Sequence, residues 1–144
     1  MTDQFTIEFV DVNPDSARMD LVWEKLRVPV RITVDTDGQI LARARKAVAE
    51  AKPDNWEMPL RAARYAFEHK LVPEEAGKWL DKSLSIKPGF SNLALKARML
   101  ADQGKKAEAV ATAEKALAAG KAAEQKPPEE AVTALEKNIA EWKK

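Results

Sequence analysis

The hydrophobic pattern of this chain changes its period once, between Asp35 and Asp37, and that change limits the fold more than any other feature. Before it, Phe5, Ile7 and Phe9 alternate with polar neighbours, as do Met19, Leu21 and Trp23, and then Val28, Val30, Ile32 and Val34. Successive side chains of a strand point to opposite faces, so a period of two predicts strands. NPDS, Asn13 to Ser16, supplies the first turn. Pro29 has no N–H to give a ladder and is expected at the start of the third strand or on a free edge. The spacing therefore predicts an antiparallel three-stranded meander over about residues 4–35.

From Asp37 onward the apolar spacing is that of helices, broken at Gly, Pro, Asn and Asp. A first helix is expected over Gly38 to Ala51, with Asp35, Thr36 and Asp37 as N-cap candidates. A second begins near Asp54 or Asn55 and sets Trp56, Leu60, Ala63 and Phe67 on one face. Pro73 opens a third, which stops before Lys87-Pro88. Phe90 to Gln103 and Lys105 to Ala119 follow, and a last helix after Pro127-Pro128 aligns Val132, Leu135, Ile139 and Trp142. The fold class is α+β: a small antiparallel β-meander over residues 1–36, then an array of helical hairpins over 37–144.

A sheet of three strands is near the lower limit for independent stability, and its outer strands present unpaired backbone. Cover is expected from strands outside this sequence, from a second copy of the chain, or from the helices. A homodimer through an exposed sheet edge is one form that cover could take.

The helical part repeats. Glu74 to Leu84 (EEAGKWLDKSL) aligns on Ala107 to Leu117 (AEAVATAEKAL), with Ala76 on Ala109, Ser83 on Ala116 and Leu84 on Leu117, at an offset of 33 residues. In GKKAEAVATAEKAL the alanines at 107, 109, 111, 113 and 116 leave almost nothing large to bury. Their smallness is the reason for them: a helix carrying Ala or Ser at fixed places lets neighbouring backbones come close. Leu93, Ala97 and Leu100 on one side, and Val132, Leu135 and Ile139 on the other, are the predicted partners.

This period and these small positions resemble the tetratricopeptide repeat (TPR), about 34 residues per helix pair. Ala76 and Ser83, Ala109 and Ala116, and Gly104 match its small positions and turn glycine. The first-helix glycine of that family is Arg64 in one copy and Ala97 in the other, and the proline after the second helix is present as Pro88 but replaced by Lys121. The resemblance implies a groove lined by first-helix residues, here Arg61 and Tyr65, then Ala94 and Arg98, that takes a protein or peptide. Two arginines beside a tyrosine suit a carboxylate.

Over nearly the whole chain, FTIEFVDVNPDSARMDLVWEKLRVPVRI followed by WLDKSL, LALKARMLADQGKKAEAVATAEKAL and LEKNIAEWKK resembles the C-terminal half of the domain-of-unknown-function 2911 (DUF2911) family. That resemblance implies β-strands preceding these, a periplasmic or secreted setting, and no established activity. Two functions follow as expectations. One is a non-enzymatic protein-interaction or scaffolding module; the other is an accessory C-terminal part of a larger secreted protein whose ligand or active site lies in preceding β-strands.

The residues themselves carry little chemistry. With 24 Lys and Arg against 23 Asp and Glu, the net charge of +1 does not recruit nucleic acid. The absence of cysteine removes disulfides, thiolate zinc sites and cysteine nucleophiles. His69 is the only histidine and is expected as a solvated helix-end residue. Glu74-Glu75 and Glu129-Glu130 follow prolines at helix starts, where the helix dipole favours carboxylates. DTDG, Asp35 to Gly38, lacks the later ligands of a calcium loop and is a strand-to-helix turn. RARK, Arg43 to Lys46, is expected to be a solvated face, and Trp56, Trp79 and Trp142 to be core. No cofactor or metal is implied. No apolar run reaches the length of a membrane span, and MTDQFTIEF has no signal-peptide pattern, so the chain is expected to be soluble as given.

Overall fold

A computed structural model describes residues 4–144. Three strands, β1 (Phe5–Val10), β2 (Ser16–Trp23) and β3 (Leu26–Thr33), precede six helices: α1 (Thr36–Glu50), α2 (Glu57–Glu68), α3 (Pro73–Ile86), α4 (Phe90–Asp102), α5 (Lys106–Ala122) and α6 (Glu129–Trp142). The fold is α+β, as the change of period requires. It divides into two compact units inside α1, the first ending at Arg43 and the second starting at Ala44.

In the first unit the strands form an antiparallel sheet in the order β1-β2-β3. Its register sorts residues cleanly by face. Phe5 pairs with Trp23, Ile7 with Leu21 and Phe9 with Met19, while Leu21 also pairs with Val28, Met19 with Val30 and Ala17 with Ile32. Paired residues share a face, so the predicted apolar positions within the three strands lie on the same side, while Val34 falls just past the end of β3. That side is open along its outer strands and at Trp23: Phe9 is 61% exposed, Trp23 55%, and Val28, Val30 and Ile32 are exposed, while Ala17, Met19 and Leu21 of the central strand are half-buried.

The opposite face holds all the charged residues of the strands, beside Thr6, Val10 and Val22. Glu8 and Asp20 are paired across β1 and β2, an arrangement that would repel. Arg27 resolves it by reaching both, with Nη1 donating to Asp20 Oδ2 at 2.5 Å and to Glu8 Oε2 at 3.2 Å. Arg18 donates through Nε to the other Asp20 oxygen at 3.0 Å and pairs with Asp11 at 2.8 Å. The Asp20 side chain is fully enclosed by these partners. The Arg27 hydrogen bond outweighs the cost of burial, so its carboxyl is held below the usual carboxylate range, with Arg18 lowering it further.

The helix starts follow their caps. Asp35 Oδ1 accepts the Gly38 N–H at 2.9 Å, so DTDG is the N-cap of α1, which starts at Thr36 and not at Gly38. A Cβ on Gly38 would fall on the Asp35 side chain, which explains the glycine. Asn55 Oδ1 accepts the Met58 N–H and opens α2 in the same way. Helix α5 runs to Ala122, past the expected stop at Ala119, because Gly120 packs instead of capping. A side chain there would meet Phe90 and Pro127 at 3.0 Å.

In the second unit, α2 packs on α3, α4 on α5, and α6 on α5. The small positions matched by the repeat, Ala76, Ser83, Ala109 and Ala116, have no exposed surface, and neither has Ala113. Ala113 and Ala116 sit in one cluster with Ala97, Leu135 and Ile139, against which Leu93 and Trp142 pack. Ala107 and Ala111 differ. Both are exposed, so smallness serves packing at three of the five alanines and only helix propensity at the other two.

Ser83 does more than stay small. Its Oγ donates to the Trp56 carbonyl at 2.8 Å and accepts from Asn92 Nδ2 at 3.1 Å. Asn92, fully buried, also donates to the Lys87 carbonyl and accepts the Gly89 N–H at 2.8 Å. This joint ties the start of α2, the end of α3 and the start of α4. Ala116, its counterpart, lies in an apolar cluster and needs no hydroxyl.

The two hairpin turns are built alike. After α2, Lys70 takes a left-handed φ of 55°, its N–H bonding Phe67 O and the next N–H, of Leu71, bonding Ala66 O at 2.7 Å. After α4, Gly104 takes φ 79°, bonding Ala101 O, while Lys105 bonds Leu100 O at 2.9 Å. Both are Schellman motifs. They lie 34 residues apart, yet Ala76 and Ala109, on the second helices, lie 33 apart. The first turn holds one additional residue, Val72, itself forced to a left-handed φ of 37°. Ala63 and Ala97, each seven residues before its left-handed residue and each without exposed surface, are therefore equivalent. Arg64 does not occupy the small position that an offset of 33 assigns to it.

Replacing Lys70 with Gly removes a side chain from a strained φ and is expected to stabilise the protein by about 1 kcal/mol, whereas Gly104→Ala costs about 1–2 kcal/mol. Opposite shifts in urea midpoint check the pair. Ala109→Leu, which overpacks the α4–α5 crossing, should cost about 1–3 kcal/mol. An unchanged melting temperature would remove Ala109 from that contact.

Candidate functional site

The second unit carries a cleft of about 590 Å³ lined from α2, α4, the Pro127-Pro128 linker and α6. A shift of register decides which α2 residues reach it. The expected pairing, Arg61 with Ala94 and Tyr65 with Arg98, rests on the 33-residue offset of the second helices. The first helices are related by 34, so Leu60 is the counterpart of Ala94, and Arg64 of Arg98. Arg64 and Glu68 line the cleft with Ala94 and Arg98, and Arg61 and Tyr65 do not. Tyr65 instead stacks on His69, one turn later, with ring centroids 4.1 Å apart.

Arg98 is held in place. Its guanidinium lies 5.4 Å from the Phe67 ring centre and 3.9 Å from Glu68 Oε1. Stacking on a ring orients an arginine without using its donors, and a 3.9 Å ion pair between half-exposed groups is weak. The guanidinium therefore keeps hydrogen-bonding capacity toward the cleft. Ser91 and Asn138 add neutral polar groups, while Phe90, Pro127 and Leu135 give apolar surface. Gly120 permits Phe90 and Pro127 to approach α5 as they do, so one small residue shapes that end of the cleft.

The other candidates resolve as structure. Arg45 of RARK forms a two-pronged pair with Glu75, Nε to Oε1 at 2.9 Å and Nη2 to Oε2 at 2.8 Å, and is not merely a solvated cation. That hydrogen bond outweighs the upward push of burial and holds the Glu75 carboxyl below its ordinary range. With Lys82 Nζ donating to the Val48 carbonyl at 3.0 Å, it fastens the end of α1 to α3. The sequence alone gave no signal for this pairing, because its partners lie 30 residues apart on different helices. Trp79 is core, whereas Trp56 and Trp142 are only half-buried, Trp56 lying under Lys87 at 5.9 Å. Among the described residues, no group of three His, Cys, Asp or Glu is placed to hold a metal ion, and no helix is long and apolar enough to cross a membrane.

No protein-family model, curated protein or solved structure matches this chain.

The Arg45–Glu75 pair predicts a pH dependence. The folded carboxyl is the stronger acid, so its stabilisation is complete above the ordinary Glu range and is lost as pH falls through the folded value. Arg45→Gln should lower the melting temperature at neutral pH. The gap from the wild type should close as the solution is acidified below the carboxylate range.

Proposed function

We propose that the helical unit is a non-enzymatic protein-interaction or scaffolding module of tetratricopeptide-like construction, whose cleft takes an acidic peptide segment. One observation supports this most: Arg64 and Arg98 occupy equivalent places on successive first helices and line a single cleft. Two guanidinium groups set one repeat apart can each take a carboxylate in a forked pair. The apolar surface of Phe90, Pro127 and Leu135 suits the side chains between them. Glu68 is the natural competitor. Its weak pair with Arg98 discourages non-specific anions and yields to a ligand carboxylate that approaches more closely.

Kinship with the DUF2911 family, and with it a periplasmic or secreted setting, belongs to the same reading; what supports it is the order of three meander strands followed by helical hairpins. In a second reading the chain is the accessory C-terminal part of a larger secreted protein. The bare apolar face of the sheet favours it, since strands from elsewhere in such a protein would cover that face.

Fluorescence polarisation against a library of acidic peptides tests the cleft. Arg64→Ala with Arg98→Ala should weaken the best binder about 10-fold or more, given roughly 1.5–3 kcal/mol for a hydrogen bond to a charged group. Glu68→Gln should tighten it, and Arg61→Ala should leave it unchanged. Equal affinity for the double variant and the wild type would reject the cleft as the peptide site.

A further inference from the structure

We infer that the apolar face of the β1-β2-β3 sheet is a self-association surface, and that its occupant is the same face of a second copy of this chain. The register puts an uncharged apolar residue at each paired position of this face, from Phe5–Trp23 at one end to Ala17–Ile32 at the other. All the charged groups of the strand pairing stand on the opposite side, where Arg27 and Arg18 enclose Asp20. The sheet thus has a dry side and a wet side, and the dry side is open.

The size of the face points to one partner of the same kind. Phe5, Phe9 and Trp23, each offering about 150–250 Å², are more than half exposed, and with the exposed fractions of Ile7, Leu26, Val28, Val30 and Ile32 this side comes to on the order of 800 Å² per copy, the share that one partner gives to a standard interface. Such an area is also above what a monomer ordinarily leaves bare. A face without charge has no pattern to mismatch, so it complements itself under two-fold symmetry. Two three-stranded sheets packed in this way make a six-stranded sandwich about 10 Å thick, the geometry in which twisted antiparallel sheets bury their inner faces.

The face also serves better than an edge. Pairing through an edge would add one ladder and leave the same apolar side in water. At β3, Pro29 offers no N–H in the middle of the strand, with Arg27 and Arg31 on either side of it.

Sedimentation velocity and light scattering on the full chain at increasing concentration test the inference. The expected species has twice the 16.0 kDa protomer mass. Leu21→Lys, at the middle of the face, should return it to the protomer mass, while Thr6→Lys on the wet side should not. Because Leu21→Lys could also unfold the sheet, a second experiment is independent of it. The chain has no cysteine, so Leu21→Cys and Val22→Cys each introduce one thiol, on adjacent residues facing opposite sides. Under mild oxidation Leu21→Cys should form a disulfide-linked dimer and Val22→Cys should not. A protomer mass at all concentrations overturns the inference, as does a broad aggregate without a dimer, or equal cross-linking of both variants. Peptide binding in the cleft depends on none of these residues, so either proposal can fail alone.

Discussion

The helical unit depends on the close approach of backbones at a few residues that have no exposed surface: Ala63, Ala97, Ala109, Ala113 and Ala116. These residues contribute little transfer energy of their own. Their effect is geometric, letting larger neighbours such as Leu93, Leu135 and Ile139 close over the crossing. Dispersion falls steeply with separation, so the small positions govern how much contact the large ones make. The buried Ser83–Asn92 joint sets the spacing of successive hairpins, and among the described residues it leaves no buried side-chain polar atom unpaired.

Much of this was legible in the sequence, because each element announces itself by period and punctuation. The alternation of Phe5, Ile7 and Phe9 specified a strand, and the pairing of all three strands follows from their shared apolar side. Pro73 and Gly104 marked a helix start and a turn where the structure has them. What could not be read was register across a turn. The additional residue at Val72 makes the first helices repeat at 34 and the second at 33, and an alignment of the second helices alone misassigns the first. A shift of one residue turns a helix face by about 100°, which exchanges Arg64 for Tyr65 at the cleft. The Lys70 turn concealed the slip, since nothing in its composition suggests a left-handed residue.

Charged residues were the least legible. Whether Arg45 is solvated or paired depends on where a helix 30 residues away passes, and local pattern carries no such information. Asp20 shows the same limit. In the sequence it is the polar alternate of a strand; in the fold it is an enclosed carboxylate shared by two arginines from two strands. Burial and pairing act on it in opposite directions, and pairing prevails because both oxygens are occupied.

The two units solve burial in contrasting ways. In the helical unit each amphipathic helix finds its apolar neighbour within the chain, and what remains outside is a cleft lined mainly by residues of α2, α4 and α6. The sheet has one well-organised polar side and one apolar side, and its three strands alone cannot close over the latter. A face so consistently apolar is not an accident of composition, since Arg18, Asp20, Arg27 and Arg31 all alternate onto the other side. Random placement would scatter those charges over both. The same alternation that makes the strands thus also gathers their apolar side chains on one face and their charges on the other.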